Sequence, residues 1–219
     1  MHDQLIIVFR RLTLVRKNSA ETPFQKERNM KYEIGIYWFF KAGGKRKALP
    51  LLKKFVPNDS KIFSRVAKET DHLGVFMETN NINDLDWDDG NGLKNEDAAN
   101  EFDTYAIAGG EQYIHENFTE TFKAKYVQAW FLKFKNHNHR ESCRDKLVEN
   151  ISIGLEQGVK CAYSEDLFRE IPMGIVKIGG DTIEEAMNRP TGVKVEKNVR
   201  SVVDALRTGP EHALFKLVK

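Results

Sequence analysis

The chain has 219 residues, 41% of them apolar and 30% charged, a mixture that supports a folded core and excludes disorder throughout. Its two cysteines, Cys143 and Cys161, exclude a disulfide framework and point to a reducing, cytoplasmic setting. The longest apolar runs, Leu5 to Phe9 and Ile36 to Phe40, fall well short of the roughly 20 residues of a membrane-spanning helix.

A net charge of +2 conceals three blocks. Residues 1–70 carry 16 Lys/Arg against 6 Asp/Glu, residues 71–120 carry 1 against 13, and residues 121–219 carry 17 against 13, giving +10, −12 and +4. Basic ends around an acidic middle suit either a polyanion partner or opposite charges that pair across the fold.

Residues 1–29 read as an appended segment. Leu5, Val8, Phe9, Leu12 and Val15 form a helical face among Arg10, Arg11, Arg16 and Lys17, as in a membrane-surface helix or a transit peptide. Met30 would serve as an alternative start. One α+β domain is expected over residues 30–219. It begins with a buried strand from Tyr32 to Phe40, stopped at Ala42-Gly43-Gly44. After Ala48 to Val56 and a Pro57-Asn58-Asp59-Ser60 break, the pattern predicts a helix over Lys61 to Leu73, with Ser60 as its N-cap and Gly74 as its stop. Val75 to Met77 reads as a short strand, 80–95 as a polar loop, and Glu96 to Ala108 as a helix ending at Gly109-Gly110.

The stretch Gln112 to Lys135 dominates this reading. Ile114, Phe118, Phe122, Tyr126, Trp130 and Phe134 recur every four residues, with Val127 and Phe131 beside them, which predicts one long amphipathic core helix. A second helix through Cys143, Leu147, Ile151 and Leu155 would end at Gly158 and pair with it. Strands at Val159 to Tyr163 and Met173 to Ile178 follow, then a short helix over Asp181 to Asn188, a helix over Val195 to Leu206, and a last helical turn opened by Pro210. The expected fold is therefore a helix-rich α+β domain, with a small mixed β-sheet packed on a pair of long amphipathic helices.

Three groups of residues carry candidate chemistry. Gly43 and Gly44 precede Lys45, Arg46 and Lys47, with Lys53 and Lys54 beyond, and a glycine turn before a basic helix start suits an anion; this is the candidate nucleic-acid contact. Asp84, Asp86, Asp88 and Asp89 form an acidic loop that would hold a divalent cation such as Mg, Mn or Ca, although the calcium-loop register fails at Asp89 and Asn95. Arg65 and His72 are separated by six residues, a spacing that resembles the Arg and His pair of ribonuclease toxins with a HEPN domain. That resemblance implies Arg65 stabilising a scissile phosphate and His72 acting as acid or base. His137, His139 and Cys143 supply three soft or borderline ligands without a visible fourth. The leading expectation is a nucleic-acid-associated binding or accessory protein; the alternatives are a metal-dependent or HEPN-like nuclease and a protein-interaction component. No nucleophile elbow, dinucleotide fingerprint, kinase signature or CxxC pair is present.

Overall fold

The computed structural model describes residues 31–56, 58, 60–66, 71–80, 96–167 and 169–219. The first half of the chain runs β1 (Lys31–Phe40), α1 (Gly44–Phe55), β2 (Lys61–Val66), β3 (Asp71–Thr79), α2 (Glu96–Asp103) and β4 (Ala106–Asn117). The second runs β5 (Tyr126–Lys133), α3 (His137–Glu156), β6 (Lys160–Asp166), β7 (Met173–Gly180), α4 (Ile183–Met187), α5 (Val193–Ala205) and β8 (Glu211–Leu217). With the short α4 set aside, both halves follow the same βαββαβ order. Each forms a four-stranded antiparallel sheet, ordered β4-β1-β3-β2 in the first half and β8-β5-β7-β6 in the second. The sheets join edge to edge, β2 with β8 and β4 with β6, and close an eight-stranded barrel. Among the described strands, closure leaves no edge open to another chain.

Strand alternation explains the packing. Along β1, Ile34, Ile36, Trp38 and Phe40 face outward, under Ala48, Leu51 and Leu52 of α1 and Ala98 and Phe102 of α2. Tyr37 faces inward and meets Phe63, Phe76, Ala129, Ile175 and Phe215 from other strands. Both faces are covered, so the strand reads as one apolar run. In the second half Leu132, Cys161, Tyr163 and Ile178 face outward beneath α3 and α5.

This architecture replaces the helix-rich domain with a small sheet. The stretch from Gln112 to Lys135 is not a helix: it comprises the end of β4, a connection, and β5. A repeat of four is also a multiple of two, so the same spacing keeps residues on one face of a strand, and the β-branched and aromatic content favours the extended form. Lys61 to Leu73 is likewise β2 and the start of β3, Gly109-Gly110 lies within β4, and the segment after Pro210 is β8. The expected helical pair is absent among the described residues; α3 packs against α5 and β6. No helix among the described residues is long and apolar enough to cross a membrane.

Candidate functional site

The barrel encloses a cavity of about 340 Å³. Its walls are Tyr37, Phe63, Phe76, Val127, Ala129, Ile175 and Phe215, inward residues of β1, β2, β3, β5, β7 and β8. Space at the centre comes from small residues on the same strands. A Cβ on Gly35 or Gly74 would lie 3.1–3.2 Å from the rings of Tyr37 and Phe76, so these glycines let the two rings lie flat across the sheet. Tyr37 and Phe76 meet edge to face at 5.4 Å, and Tyr37 and Tyr113 at 5.1 Å, separations that suit the ring quadrupoles.

One end of the cavity is polar. Glu33 on β1 and Lys177 on β7 form an ion pair on its wall, with 7% and 15% of their side chains exposed. The pair joins the two halves of the chain. At the rim Lys61 and Glu78 pair at 2.7 Å, and Thr121 donates to Glu78 at 3.3 Å. Thr121 belongs to the connection between the halves, which also brings Phe122, Lys123 and Ala124 to the cavity. Phe122 seats against Gly179, where a Cβ would fall 2.0 Å from its ring; only glycine admits this plug.

Beyond Glu33 the interior stays polar along β4 and β6. Glu33 is opposite His115, and His115 is opposite Asp166, so three ionisable side chains share one inward level. His115 is fully buried and has no hydrogen-bond partner at either ring nitrogen. Its burial, then the charges of Lys177 and Arg169, hold it well below the ordinary imidazole range, so it is neutral at pH 7. Burial and the nearby Glu33 carboxylate push the Tyr37 hydroxyl well above its usual value, so it is a protonated donor. A buried polar group without a partner costs about 1–3 kcal/mol, and such groups mark places where a ligand or water is bound.

The residues singled out in the sequence are placed as follows. Arg65 and His72 come together, but on adjacent strands β2 and β3 rather than on a helix, at the end of the barrel away from the Glu33–Lys177 pair. A HEPN-like nuclease reading is thereby corrected, because its motif needs both residues on one helix. His72 stacks on Phe39 at 4.4 Å. Gly43 adopts the left-handed backbone at φ 76° and caps α1. The Gly44 N–H is taken by the Lys41 carbonyl at 2.8 Å, and a Cβ at Gly44 would lie 3.2 Å from the Tyr105 carbonyl oxygen, so Gly44 sits at a packed junction. Arg46, Lys47, Lys53 and Lys54 are exposed and Lys45 is half-buried, on the solvent side of an amphipathic helix lying outside the barrel. Asp84, Asp86, Asp88 and Asp89 lie outside the described residues. His137 and His139 sit in the first turn of α3, where the Asn136 side chain accepts from the His139 N–H at 3.0 Å. Among the described residues no three His, Cys, Asp or Glu side chains are grouped to hold a metal ion.

Sequence reasoning missed the site's central pair. Lys177 stands as a lone charge in the apolar strand MGIVKIGG, and Glu33 lies next to the apolar run of KYEIGIYWFF with only the exposed Lys31 at the strand's start for company. A single charge at an inward position of a buried strand is costly unless it is paired, and that was the available signal.

No family model and no curated protein matches the sequence. Solved structures do match its fold. An anthrone oxidase-like protein superposes with a TM-score of 0.65 at 10% identity, covering 88% of this chain and 93% of that one. A proposed monooxygenase of Fusobacterium nucleatum gives 0.59 at 12% identity, with 87% and 93% covered. A proposed monooxygenase of Lactobacillus acidophilus gives 0.56 at 8% identity, with 87% and 94% covered. At such identities the likeness shows the fold: a barrel of two ferredoxin-like halves. The expectation of a nucleic-acid-associated protein is corrected by these relatives and by the position of the basic residues on the outer face of α1. The polar and apolar chemistry gathered by the fold faces inward instead.

Proposed function

We propose that the protein is an enzyme that binds a small, largely apolar, ring-bearing molecule inside the barrel and oxidises it with molecular oxygen. The observation that carries this reading is an apolar, aromatic-lined cavity of about 340 Å³ with one buried ion pair on its wall. That volume lies within the roughly 300–1,000 Å³ of small-molecule sites, which also combine apolar walls with a few convergent polar groups. The anthrone oxidase-like and monooxygenase relatives supply the reaction class.

The ion pair suits the first step of such a reaction. A substrate hydroxyl set against it gives its proton to the Glu33 carboxylate, and the Lys177 ammonium, released from that carboxylate, holds the new oxyanion. Against the apolar rings of the wall, such a fixed charge stabilises developing anion more than it would in solvent. An electron-rich aromatic oxyanion is the form of the molecule that reacts with dioxygen. The two unpaired, buried thiols, Cys143 and Cys161, support a reducing cytoplasmic location for the enzyme.

Oxygen uptake with anthrone, which presents the required hydroxyl as its anthrol tautomer, tests the proposal. The wild type is expected to consume oxygen above the buffer rate, and Lys177→Met, checked as folded by circular dichroism, to lose about 10²–10³-fold, the cost of removing one oxyanion donor. Uptake equal in the variant and the wild type would remove Lys177 from the reaction. Uptake no faster than buffer would sink anthrone oxidation.

A further inference from the structure

The Glu33–Lys177 pair does not account for a second set of polar atoms one layer further along the barrel wall. Neither ring nitrogen of His115 has a hydrogen-bond partner, nor has the Ser164 hydroxyl oxygen or the Asn117 amide nitrogen, and all these atoms are buried. The register places them side by side: Asn117 is opposite Ser164, and His115 is flanked by Glu33 on β1 and Asp166 on β6. Two residues of the cavity wall neighbour this group. Glu33 lines the cavity on one side, and Ala162, two residues before Ser164 on the same face of β6 and opposite Lys177, lines it on the other.

The chemistry of the group is specific. An imidazole kept neutral by burial offers one donor and one acceptor, a serine hydroxyl offers both, and the carboxamide nitrogen donates. None carries a charge. An uncharged hydroxyl, which itself donates and accepts, pairs with members of such a set on both counts, whereas a plain hydrocarbon would leave every one of these groups unpartnered. A hydroxyl lying between Glu33 and His115 would also present its proton to the carboxylate while its oxygen accepts from the ring.

We propose that His115, Ser164 and Asn117 form a hydroxyl-binding subsite, so that the substrate class is a hydroxyarene rather than a bare arene or an arene carboxylate. This rests on the reading of the cavity as the ligand site.

Calorimetric titration with 1-naphthol, naphthalene and 1-naphthoate separates the two ideas. The wild type is expected to bind 1-naphthol at least about tenfold tighter than naphthalene, the ratio equivalent to one good hydrogen bond, and to bind 1-naphthoate more weakly than 1-naphthol. Ser164→Ala and His115→Phe should erase that preference while retaining the affinity for naphthalene. Should His115→Phe fail to fold, Ser164→Ala carries the test alone. Equal binding of naphthol and naphthalene by the wild type, tighter binding of naphthoate, or a preference that survives the substitutions overturns the subsite and leaves the cavity standing. Failure of all three probes to bind overturns the cavity reading and the subsite with it.

Discussion

His72 stacks on Phe39 and lies 5.5 Å from the Tyr37 ring and 5.8 Å from Phe215, with no hydrogen-bond partner at either nitrogen. Burial, then the charges of Arg65 and Lys45, lower it to about 4. An unfolded histidine titrates near 6.5. Between those values the unfolded chain takes up a proton that the folded protein refuses. His72 therefore contributes stability that is complete above pH 6.5 and is lost as the pH falls from 6.5 through 4. Urea midpoints measured at pH 7 and pH 5 should fall less in His72→Phe than in the wild type; an identical fall would contradict this placement of the ring. His115 is shifted in the same direction, so part of the acid sensitivity will remain. The pairing of Arg65 with His72 was visible in the sequence as a spacing, but its meaning was not. Six intervening residues suggested one helix, whereas the two residues lie on adjacent strands, near enough for the Arg65 charge to act on His72.

On β6 and α3 a carboxylate fixes a helix to the barrel. Glu165 is 1% exposed on the outer face of β6, and Arg144 of α3 holds it with two hydrogen bonds of 2.8 and 2.7 Å. Arg140 lies 3.0 Å away and the Tyr163 hydroxyl donates at 3.0 Å. The carboxylate raises the Arg144 guanidinium further, chiefly through the hydrogen bond. Removing one member of a buried pair leaves the other charge desolvated, at about 3–5 kcal/mol. Glu165→Gln should therefore lower unfolding stability by about that amount in urea titrations, and no measurable loss would mean that Cys143, Leu147 and Ile151 alone secure α3.

The same elements show what could be read in advance. Helix α3 was legible because Cys143, Leu147 and Ile151 recur at four-residue spacing on its buried face and Gly158, where φ is 77°, follows its end. Strands β1, β6 and β7 were legible as short apolar runs bounded by turns. β5 was not. Its inward Val127, Ala129 and Phe131 and outward Trp130 and Leu132 are apolar on both faces, so alternation was erased and the spacing of four was left to mimic a helix.

The barrel is closed by two short seams. β2 pairs with β8 through four residues and β4 with β6 through three; the Glu33–Lys177 pair then bridges the halves from within. None of this was legible from one sequence. The halves share an order of elements without sharing residues, and even their Gly-Gly dipeptides differ in use: Gly43-Gly44 lies at a turn, while Gly109-Gly110 and Gly179-Gly180 lie in strands. Closure nonetheless decides the function, because it turns scattered inward residues from both halves into one wall. Without it, Glu33 and Lys177 are single charges 144 positions apart.

The most direct measurement is calorimetric titration of 1-naphthol into the wild type and into Ala129→Phe, a substitution that builds a ring into the cavity from a buried position on its wall. Saturable binding to the wild type is expected, and at least about a tenfold loss in a variant that circular dichroism shows to be folded. Undiminished binding by Ala129→Phe, or no binding by the wild type, would contradict a ligand site inside the barrel.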